Sequence, residues 1–332
     1  MADKNRIEEV AKLAGVSPTT VSRVINKFST VKESNRQKVE EAIRKLKFKP
    51  NVIAQRLAKG KSDTIALVIP RYEGIFFSFY ANQIIRGVGV ASESLKLDLL
   101  LHLTNEKSSI NTMSVGGVLF ADVISNKEEL NNVLDSGTPC VVMNHKFDNL
   151  NVDYIAIDNQ KGVRQAIEYL INFGHRDIAH ITGNLITQSA NERLEGYKIA
   201  LKQNNIKLKD ELIKEADYSR PSARKAMLSL LKLNTRPTAI FASCDDMAQE
   251  AISVILEHKL RVPEDISVIG FDDNPICLYG SVGLTTVRQP LVEMAAKATS
   301  LLQKKMSSKT AKSPAKIVLP TELIIRDSCR KI

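Results

Sequence analysis

Residues 7–26 read IEEVAKLAGVSPTTVSRVIN, a stretch in which two short helical patterns flank a glycine. Apolar residues recur at helical spacing over residues 6–14, and Gly15 can end that helix without steric cost. Ser17 suits the N-cap of a second helix, and Pro18 suits its first position. The stretch therefore predicts two helices joined by a tight turn. The residues expected to face inward from the first helix are Ile7, Val10, Ala11, Leu13 and Ala14.

The second helix is expected to have one apolar face and one polar face. Val21, Val24 and Ile25 form its apolar stripe. A third helix over residues 34–46 would pack against the first two through Val39, Ala42, Ile43 and Leu46. Short hydroxyls, an amide and a guanidinium form the polar face, at Thr19, Thr20, Ser22, Arg23 and Asn26. Such groups suit base edges and phosphates, so the pattern predicts a helix-turn-helix that binds double-stranded DNA.

The charge distribution supports a polyanionic partner for this region. Residues 1–61 contain 15 lysines and arginines against 6 aspartates and glutamates, a balance of +9. Since the whole chain carries a formal charge of +10, the other 271 residues carry only +1. A basic head on a neutral body is typical of a nucleic-acid-binding module attached to a larger domain. The alternative is a solvated basic tail.

Several classes of protein are disfavoured by what the sequence lacks. Cys140, Cys244, Cys277 and Cys329 form no CxxC pair, which argues against a zinc site or a disulfide framework. The N-terminal residues include no apolar stretch, and no apolar run approaches the roughly 18 residues of a membrane span. The chain has no GxSxG elbow, no P-loop and no metal-binding histidine spacing. We therefore expect a cytoplasmic protein that is not an enzyme, with no catalytic residues, cofactor, metal or membrane contact.

One glycine pair resembles a nucleotide-binding loop only superficially. Gly87-Val88-Gly89 is followed by Ser92 where a dinucleotide loop needs its third glycine. The segment also lies inside a predicted helix and not after a strand. Gly87 is therefore expected to be a close-packing residue.

From residue 63 onward, short apolar runs alternate with helical stretches. The expected strands are 65–69, 98–103, 115–120, 140–144, 153–157, 178–182, 239–243, 266–271 and 284–288. The expected helices include 80–95, 160–173, 190–204, 221–233 and 246–258. Buried strands that alternate with helices predict parallel sheets with covered faces. The fold class is thus an α/β core of two doubly wound parallel-sheet lobes with an N-terminal all-α helix-turn-helix head.

The whole chain resembles the LacI/GalR family of repressors. Residues 7–26 resemble the family's DNA-binding head, and Lys49-Pro50-Asn51 followed by Ala54, Arg56 and Leu57 resembles its hinge. The most similar core stretch is VPEDISVIGFDD, residues 262–273. The resemblance implies a periplasmic-binding-protein-like core and a hinge helix over residues 51–59 that forms on specific DNA. Leu57 would be a wedge in the minor groove, the alternative being an ordinary apolar linker residue.

These observations and the resemblance together give a domain plan. Residues 1–50 are expected to form the DNA-binding head and residues 51–62 the hinge. The N-terminal lobe would comprise residues 63–159 and 290–318, and the C-terminal lobe residues 160–289 and 319–332. The expected DNA-contacting residues are Ser17, Pro18, Thr19, Thr20, Ser22, Arg23, Asn26, Asn51, Ala54 and Leu57.

The resemblance also implies an effector site in the cleft between the lobes. Arg193 and Asp272 would be the main polar contacts, since an arginine fork donates and a carboxylate accepts. Asn144, Ser189 and Asp245 would add polar contacts, and Phe76 and Tyr218 an aromatic wall. The alternative for Arg193 and Asp272 is a structural ion pair across the lobes. Cys244 stands where the family often has an asparagine, which puts one ligand hydrogen bond in doubt.

A second departure is the connection over residues 104–114, which is too short for the helix that the family normally has there. One sheet face of the first lobe is therefore expected to be thinly covered.

The expected function is a repressor that binds a pseudo-palindromic operator as a homodimer and responds allosterically to a sugar-like metabolite. Two alternatives remain at this point. One is a periplasmic sugar receptor, which the core alone would fit. The other is a regulator controlled by a partner protein.

Overall fold

The computed structural model describes residues 2–25, 28, 30–48, 62–71, 74–104, 109–308 and 313–332, with side chains from residue 6 onward. The chain divides into two compact units, Met1–Asp63 and Thr64–Ile332, which we call the head and the core.

The head contains three helices, α1 (Ala2–Ala14), α2 (Pro18–Ile25) and α3 (Glu33–Lys45). Gly15 ends α1 with φ +66°, a conformation that favours glycine, as the sequence predicted. The helices enclose a small apolar core formed by Val10, Ala11, Ala14, Val21, Val24, Val39, Ala42 and Phe48. The helix-turn-helix predicted from the opening stretch is therefore present.

Two residues expected in this core are exposed. Leu13 is 51% exposed because it lies on a different side of α1 from the buried stripe that contains Val10 and Ala14. Leu46 is 42% exposed because α3 ends at Lys45, so that Leu46 turns away from the buried face. Phe48 is buried in the head core in its place.

The core contains two six-stranded sheets. The first has the order β11-β5-β4-β3-β1-β2 and is wholly parallel. Its strands are β1 (Thr64–Pro70), β2 (Asp98–Thr104), β3 (Gly117–Phe120), β4 (Cys140–Met143), β5 (Asp153–Ile157) and β11 (Lys316–Leu319). The second has the order β12-β10-β9-β8-β6-β7 and is parallel except for β12. Its strands are β6 (Ile178–Thr182), β7 (Ile213–Glu215), β8 (Ala239–Ala242), β9 (Ser267–Asp272), β10 (Thr285–Arg288) and β12 (Glu322–Ile324).

Helices pack against both sheets. They are α4 (Phe79–Leu95), α5 (Lys127–Asp135), α6 (Asn159–Asn172), α7 (Gln188–Gln203), α8 (Arg220–Leu231), α9 (Asp245–Glu257) and α10 (Leu291–Ser307). The chain passes from the first sheet to the second between β5 and α6, and returns between β10 and α10. Because all but β12 run parallel, the carboxyl ends of the strands collect the loops that form the candidate site.

The close-packing expectation for Gly87 is confirmed. A Cβ atom at Gly87 in α4 would lie 2.7 Å from both the Cβ of Ala295 and the carbonyl oxygen of Val292 in α10. Gly89, on the same helix, has no atom within 4 Å of its equivalent position. The α4–α10 contact therefore tolerates no side chain at residue 87.

We expect Gly87→Ala to destabilise the core by about 1–3 kcal/mol, the usual cost of overpacking. Gly89→Ala is the matched control, and it should be neutral or stabilising by up to about 1 kcal/mol because alanine favours the helix. The measurement is urea unfolding followed by circular dichroism. Equal midpoints for the two variants would contradict the close contact.

The short connection after β2 is anchored by a buried carboxylate. The Glu129 carboxylate, in the first turn of α5, accepts a hydrogen bond from the Ile110 backbone N–H at 2.9 Å and another from the Thr104 hydroxyl. His102 Nε2 lies 3.1 Å from the same carboxylate. Residues 105–108 lie outside the described part of the chain, and the described remainder contains a 3₁₀ turn, Thr112–Ser114. Leu100 and Leu101 of β2 are exposed.

Candidate functional site

The exposed face of α2 carries the residues predicted to read DNA. Pro18, Thr19 and Arg23 are exposed, while Val21 and Val24 on the opposite face are buried. Ser17 caps the helix, since its Oγ accepts a hydrogen bond from the Thr20 N–H at 3.2 Å. The helix thus presents a guanidinium and a free hydroxyl on a surface fixed from behind by the head core.

The other predicted DNA contacts are less exposed or lie elsewhere. Thr20 is half-buried, and its hydroxyl lies 2.9 Å from that of Ser17, so it supports the cap. Ser22 is also half-buried. Asn26, Asn51, Ala54 and Leu57 fall outside the described residues, as does the hinge expected over 51–62 except for Ser62.

The helix α3 begins without the usual side-chain cap. Lys32 occupies the N-cap position and makes no capping hydrogen bond. The preceding loop is tied down in another way, since Arg36 Nη2 donates to the carbonyl oxygen of Phe28 at 3.0 Å. The loop before α3 is therefore held by an arginine one turn into the helix, in place of a capping side chain.

In the core, Arg193 is a buried cation at the centre of the predicted effector site. It lies on α7, is 4% exposed, and stacks over the ring of Phe271 with Cζ 3.8 Å from the centroid. Its Nε donates to Asn159 Oδ1 at 2.9 Å and its Nη1 to the carbonyl oxygen of Ser243 at 2.5 Å. The guanidinium is thereby held in one orientation, with Nη2 making no hydrogen bond found among the described residues.

Two carboxylates lie in the same lobe. Asp245 is fully buried, accepts from the Asn274 N–H at 2.7 Å and the Thr286 hydroxyl at 2.5 Å, and has a pKa raised by burial to about 6. Burial and the nearby Asp245 raise the pKa of Asp272 well above its ordinary value, and Arg193 opposes that shift. The Gln289 amide donates to Asp272 Oδ1. The cluster of Arg193, Asp245, Asp272 and Gln289 therefore contains both hydrogen-bond donors and acceptors.

The structure disfavours the alternative of an ion pair across the lobes. Arg193 lies on α7 and Asp272 ends β9, so both come from elements packed on the second sheet. Within the described part of the chain, no salt bridge joins them.

Ser189 and Tyr218 form a second part of the site. Their hydroxyls lie 3.5 Å apart, and the Tyr218 ring packs directly against the backbone of Gly183. Cys244 lies beside them, with its Sγ 4.0 Å from the Tyr218 carbonyl oxygen. Burial raises the pKa of the Cys244 thiol well above its usual range, so the group that replaces the family's asparagine is an inert, neutral thiol.

Asn144 and Phe76 come from the first lobe. Asn144 follows β4, is buried, and donates from Nδ2 to Asp122 Oδ2 at 3.3 Å. His145 Nδ1 lies 3.5 Å from the other oxygen of Asp122. Phe76 lies in a 3₁₀ turn and is 61% exposed, and its ring makes no described contact with the other predicted effector residues.

Three of the predicted effector residues have left-handed backbone conformations. The φ angles are +57° at Asn144, +67° at Tyr218 and +130° at Asp272. Such conformations cost a residue with a side chain about 1–3 kcal/mol and cluster at functional sites. All three stand at or shortly after the carboxyl end of a strand, β4, β7 or β9, which is where binding sites of parallel sheets lie.

Comparisons with known proteins show which family the chain resembles. Residues 6–51 match the family described as bacterial regulatory proteins, lacI family, and residues 167–329 match the periplasmic binding protein-like domain. A curated relative from Bacillus subtilis strain 168, the probable HTH-type transcriptional repressor ExuR, is 37% identical over 98% of this chain and 98% of its own. The chain belongs to the LacI family. It is a DNA-binding transcription regulator, and its relatives are regulators and not enzymes.

Solved structures of the LacI family show the same fold over nearly the whole chain. The complex of the transcriptional regulator CelR with cellobiose is 32% identical, with a TM-score of 0.74 and coverage of 97% of this chain and 99% of that one. The lac repressor dimer bound to operator and the anti-inducer ONPF is 26% identical, with a TM-score of 0.83 and coverage of 97% and 98%. The fold class expected from the sequence is confirmed.

This LacI-family protein also places residues at the site that sequence reasoning did not assign. They are Asp122, His145, Asn159, Glu192 and Gln289. The available signal was the resemblance to the LacI/GalR family of two further stretches, Asp158-Asn159 and Arg288-Gln289-Pro290. For Asp122, His145 and Glu192, the sequence offered no signal.

Each helix in the described part of the chain is too short or too polar to cross a membrane.

Proposed function

We propose that this protein is a cytoplasmic repressor that binds operator DNA as a homodimer and is controlled by a sugar-like effector in the cleft between its lobes. The observation that carries the proposal is Arg193, a buried guanidinium held in one orientation near the half-buried carboxylate of Asp272, which in turn lies near the buried Asp245. Donors and acceptors fixed together in this way suit the neighbouring hydroxyls of a sugar.

The head supports the DNA-binding half of the proposal. Helix α2 offers Thr19 and Arg23 from an exposed face, and the head carries most of the net positive charge of the chain. Two such heads on a symmetric dimer would match the two half-sites of a palindromic operator. The lac repressor is a dimer on its operator in the solved structure that this chain resembles.

The proposed effector contacts are Phe76, Asn144, Ser189, Arg193, Tyr218, Asp245 and Asp272, and the proposed DNA contacts are the ten residues named from the sequence. The domain boundaries proposed above stay as they were given. CelR binds cellobiose in its solved complex, which favours a sugar for this chain as well. Effector binding would couple to operator affinity by a few kcal/mol at most, and reciprocally.

The test of the proposal is a thermal-unfolding screen against sugars, sugar phosphates, nucleosides and purines. A ligand at 100 times its dissociation constant adds about 2.7 kcal/mol to the stability of the folded state, which shifts the midpoint visibly. A sugar that shifts the midpoint and changes operator affinity would support the proposal. If no compound shifts the midpoint, control by a small molecule is contradicted and control by a partner protein is favoured.

The proposed wedge gives a sharp prediction for DNA binding. We expect Leu57→Ala to weaken operator binding by roughly 10- to 100-fold, because alanine is too short to unstack a base step and hold the bend. Binding to random DNA, which depends on phosphate contacts, should change little and keep its salt dependence. Fluorescence anisotropy with both duplexes measures this. Leu57→Met is the control that keeps an apolar wedge, and equal losses on both duplexes would contradict the assignment.

A further inference from the structure

Lys146, which follows β4 in the first lobe, is held at its backbone by a residue of the second. Its N–H donates to Gln188 Oε1 at 2.7 Å, and the Gln188 Nε2 donates back to its carbonyl oxygen at 3.0 Å. Gln188 is the first residue of α7. One side-chain amide therefore ties a loop at the end of the first sheet to the helix that carries Arg193.

The side chain of Lys146 makes a second link to the same helix. Its Nζ lies 3.0 Å from Glu192 Oε1, and both side chains are largely buried, with 26% and 15% exposed. An ion pair in this environment is less screened than one on the surface. Both links between the lobes thus involve one residue of the first lobe and one turn of α7.

Glu192 is also connected to Arg193 through Asn159. The Nδ2 of Asn159 donates to Glu192 Oε2 at 2.9 Å, and its Oδ1 accepts from Arg193 Nε at 2.9 Å. Asn159 is 2% exposed. Because an amide nitrogen only donates and its oxygen only accepts, a carboxylate on one side and a guanidinium on the other fix the orientation of this side chain.

We infer that Asn159 and Glu192 are positioning residues of the effector site. These two residues hold the Arg193 guanidinium in one orientation, and the contacts of Lys146 and Gln188 between the lobes set that orientation. In this inference, the role of Arg193 rests on the proposed function, whereas the contacts among these residues do not depend on it. Any ligand that moves the guanidinium must disturb Asn159 and Glu192, and so the ion pair that joins the lobes. Recognition of the effector and closure of the lobes are then one event.

The first measurement follows the Arg193 Nε–H signal in ¹⁵N–¹H spectra of the full-length protein, assigned by its loss in Arg193→Lys. In Glu192→Gln the amide oxygen still accepts from Asn159, so a sharp, slowly exchanging signal is expected. In Glu192→Ala and Asn159→Ala the signal should broaden or exchange at least about tenfold faster. Wild-type behaviour in both alanine variants would overturn the inference. Loss in Glu192→Gln equal to that in Glu192→Ala would also overturn it, since the orientation would then depend on charge alone.

The second measurement follows hydrogen exchange at the Lys146 N–H. Gln188→Ala removes its acceptor and should speed exchange at least about tenfold, whereas Gln203→Ala, at the exposed end of the same helix, should leave it unchanged. Unchanged exchange in Gln188→Ala would overturn the link between the lobes. Both measurements are made without added sugar, so failure of the proposed function, seen in the thermal screen, is distinguishable from failure here. If an alanine variant does not fold, Glu192→Gln and Lys146→Met still report on the ion pair between Lys146 and Glu192. An unaltered Arg193 signal in Lys146→Met would contradict the role of this ion pair in holding Arg193.

Discussion

Replacing Arg193 by alanine is expected to abolish the response to the effector and to leave operator binding intact. The guanidinium stacks on Phe271 and has two of its nitrogens committed to Asn159 and Ser243, so it is preorganised to donate to a ligand. Hydrogen bonds from a charged group contribute about 1.5–3 kcal/mol each. Loss of such contacts should weaken effector binding by about 100-fold or more.

Two control variants separate this role from a structural one. Arg193→Lys keeps the positive charge but not the planar fork, and should bind the effector nearly as poorly as Arg193→Ala. Lys198→Ala, which removes an exposed ion pair with Glu195 on the same helix, should behave like the unaltered protein. The measurements are calorimetry with the sugar found in the screen and operator affinity with and without it. If Arg193→Ala loses operator binding as well, the residue holds the fold and the effector assignment fails.

The central strands of the fold and the edge strand β2 were predictable from the sequence, whereas the other three edge strands were not. Strand β1 is an apolar run that is buried on both faces, and such a run has few alternatives. Strands β7, β11 and β12 were missed, and each lies at the edge of a sheet. An edge strand is covered on fewer sides, so IKE at β7 and ELI at β12 carry charged residues and lack a distinctive pattern.

The site was predictable only where a side chain acts directly. Arg193 and Asp272 were expected at the site because they lie in stretches that resemble the LacI/GalR family. The roles of Asn159 and Glu192 depend on which loops meet, and residues 146, 159 and 192 are brought together by pairing and packing across the two sheets. Periodicity in the sequence does not show which loops lie next to each other in the folded protein.

The buried histidine of the second sheet gives the other large expected effect, on stability against pH. His180 is fully buried in β6, and its ring lies 4.9 Å from that of Phe241 and 5.3 Å from that of Tyr197. Its Nδ1 donates to the Phe241 carbonyl oxygen at 3.1 Å, while Nε2 has no hydrogen-bond partner among the described residues. Burial lowers the pKa of His180 to about 4, since protonation would place an unpaired N–H in the apolar core.

Below pH 6.5 the unfolded chain binds a proton at this residue and the folded protein does not, so stability falls as pH falls towards 4. The slope is about 1.4 kcal/mol per pH unit, and about 3 kcal/mol is lost over the window. Asp245 opposes it, because a pKa raised to about 6 makes the folded protein lose stability as pH rises from 3.8 to 6. The free energy of unfolding of the unaltered protein therefore changes less with pH than it would if only one of the two groups titrated.

The difference between the unaltered protein and His180→Phe isolates the histidine. Phenylalanine fits between the two rings and does not titrate, so the variant should gain about 3 kcal/mol relative to the unaltered protein between pH 7 and pH 4. Urea unfolding followed by circular dichroism at several pH values measures this difference, whatever its value at pH 7. A difference independent of pH would contradict this, because it would mean that His180 takes up its proton in the folded protein at the same pH as in the unfolded chain.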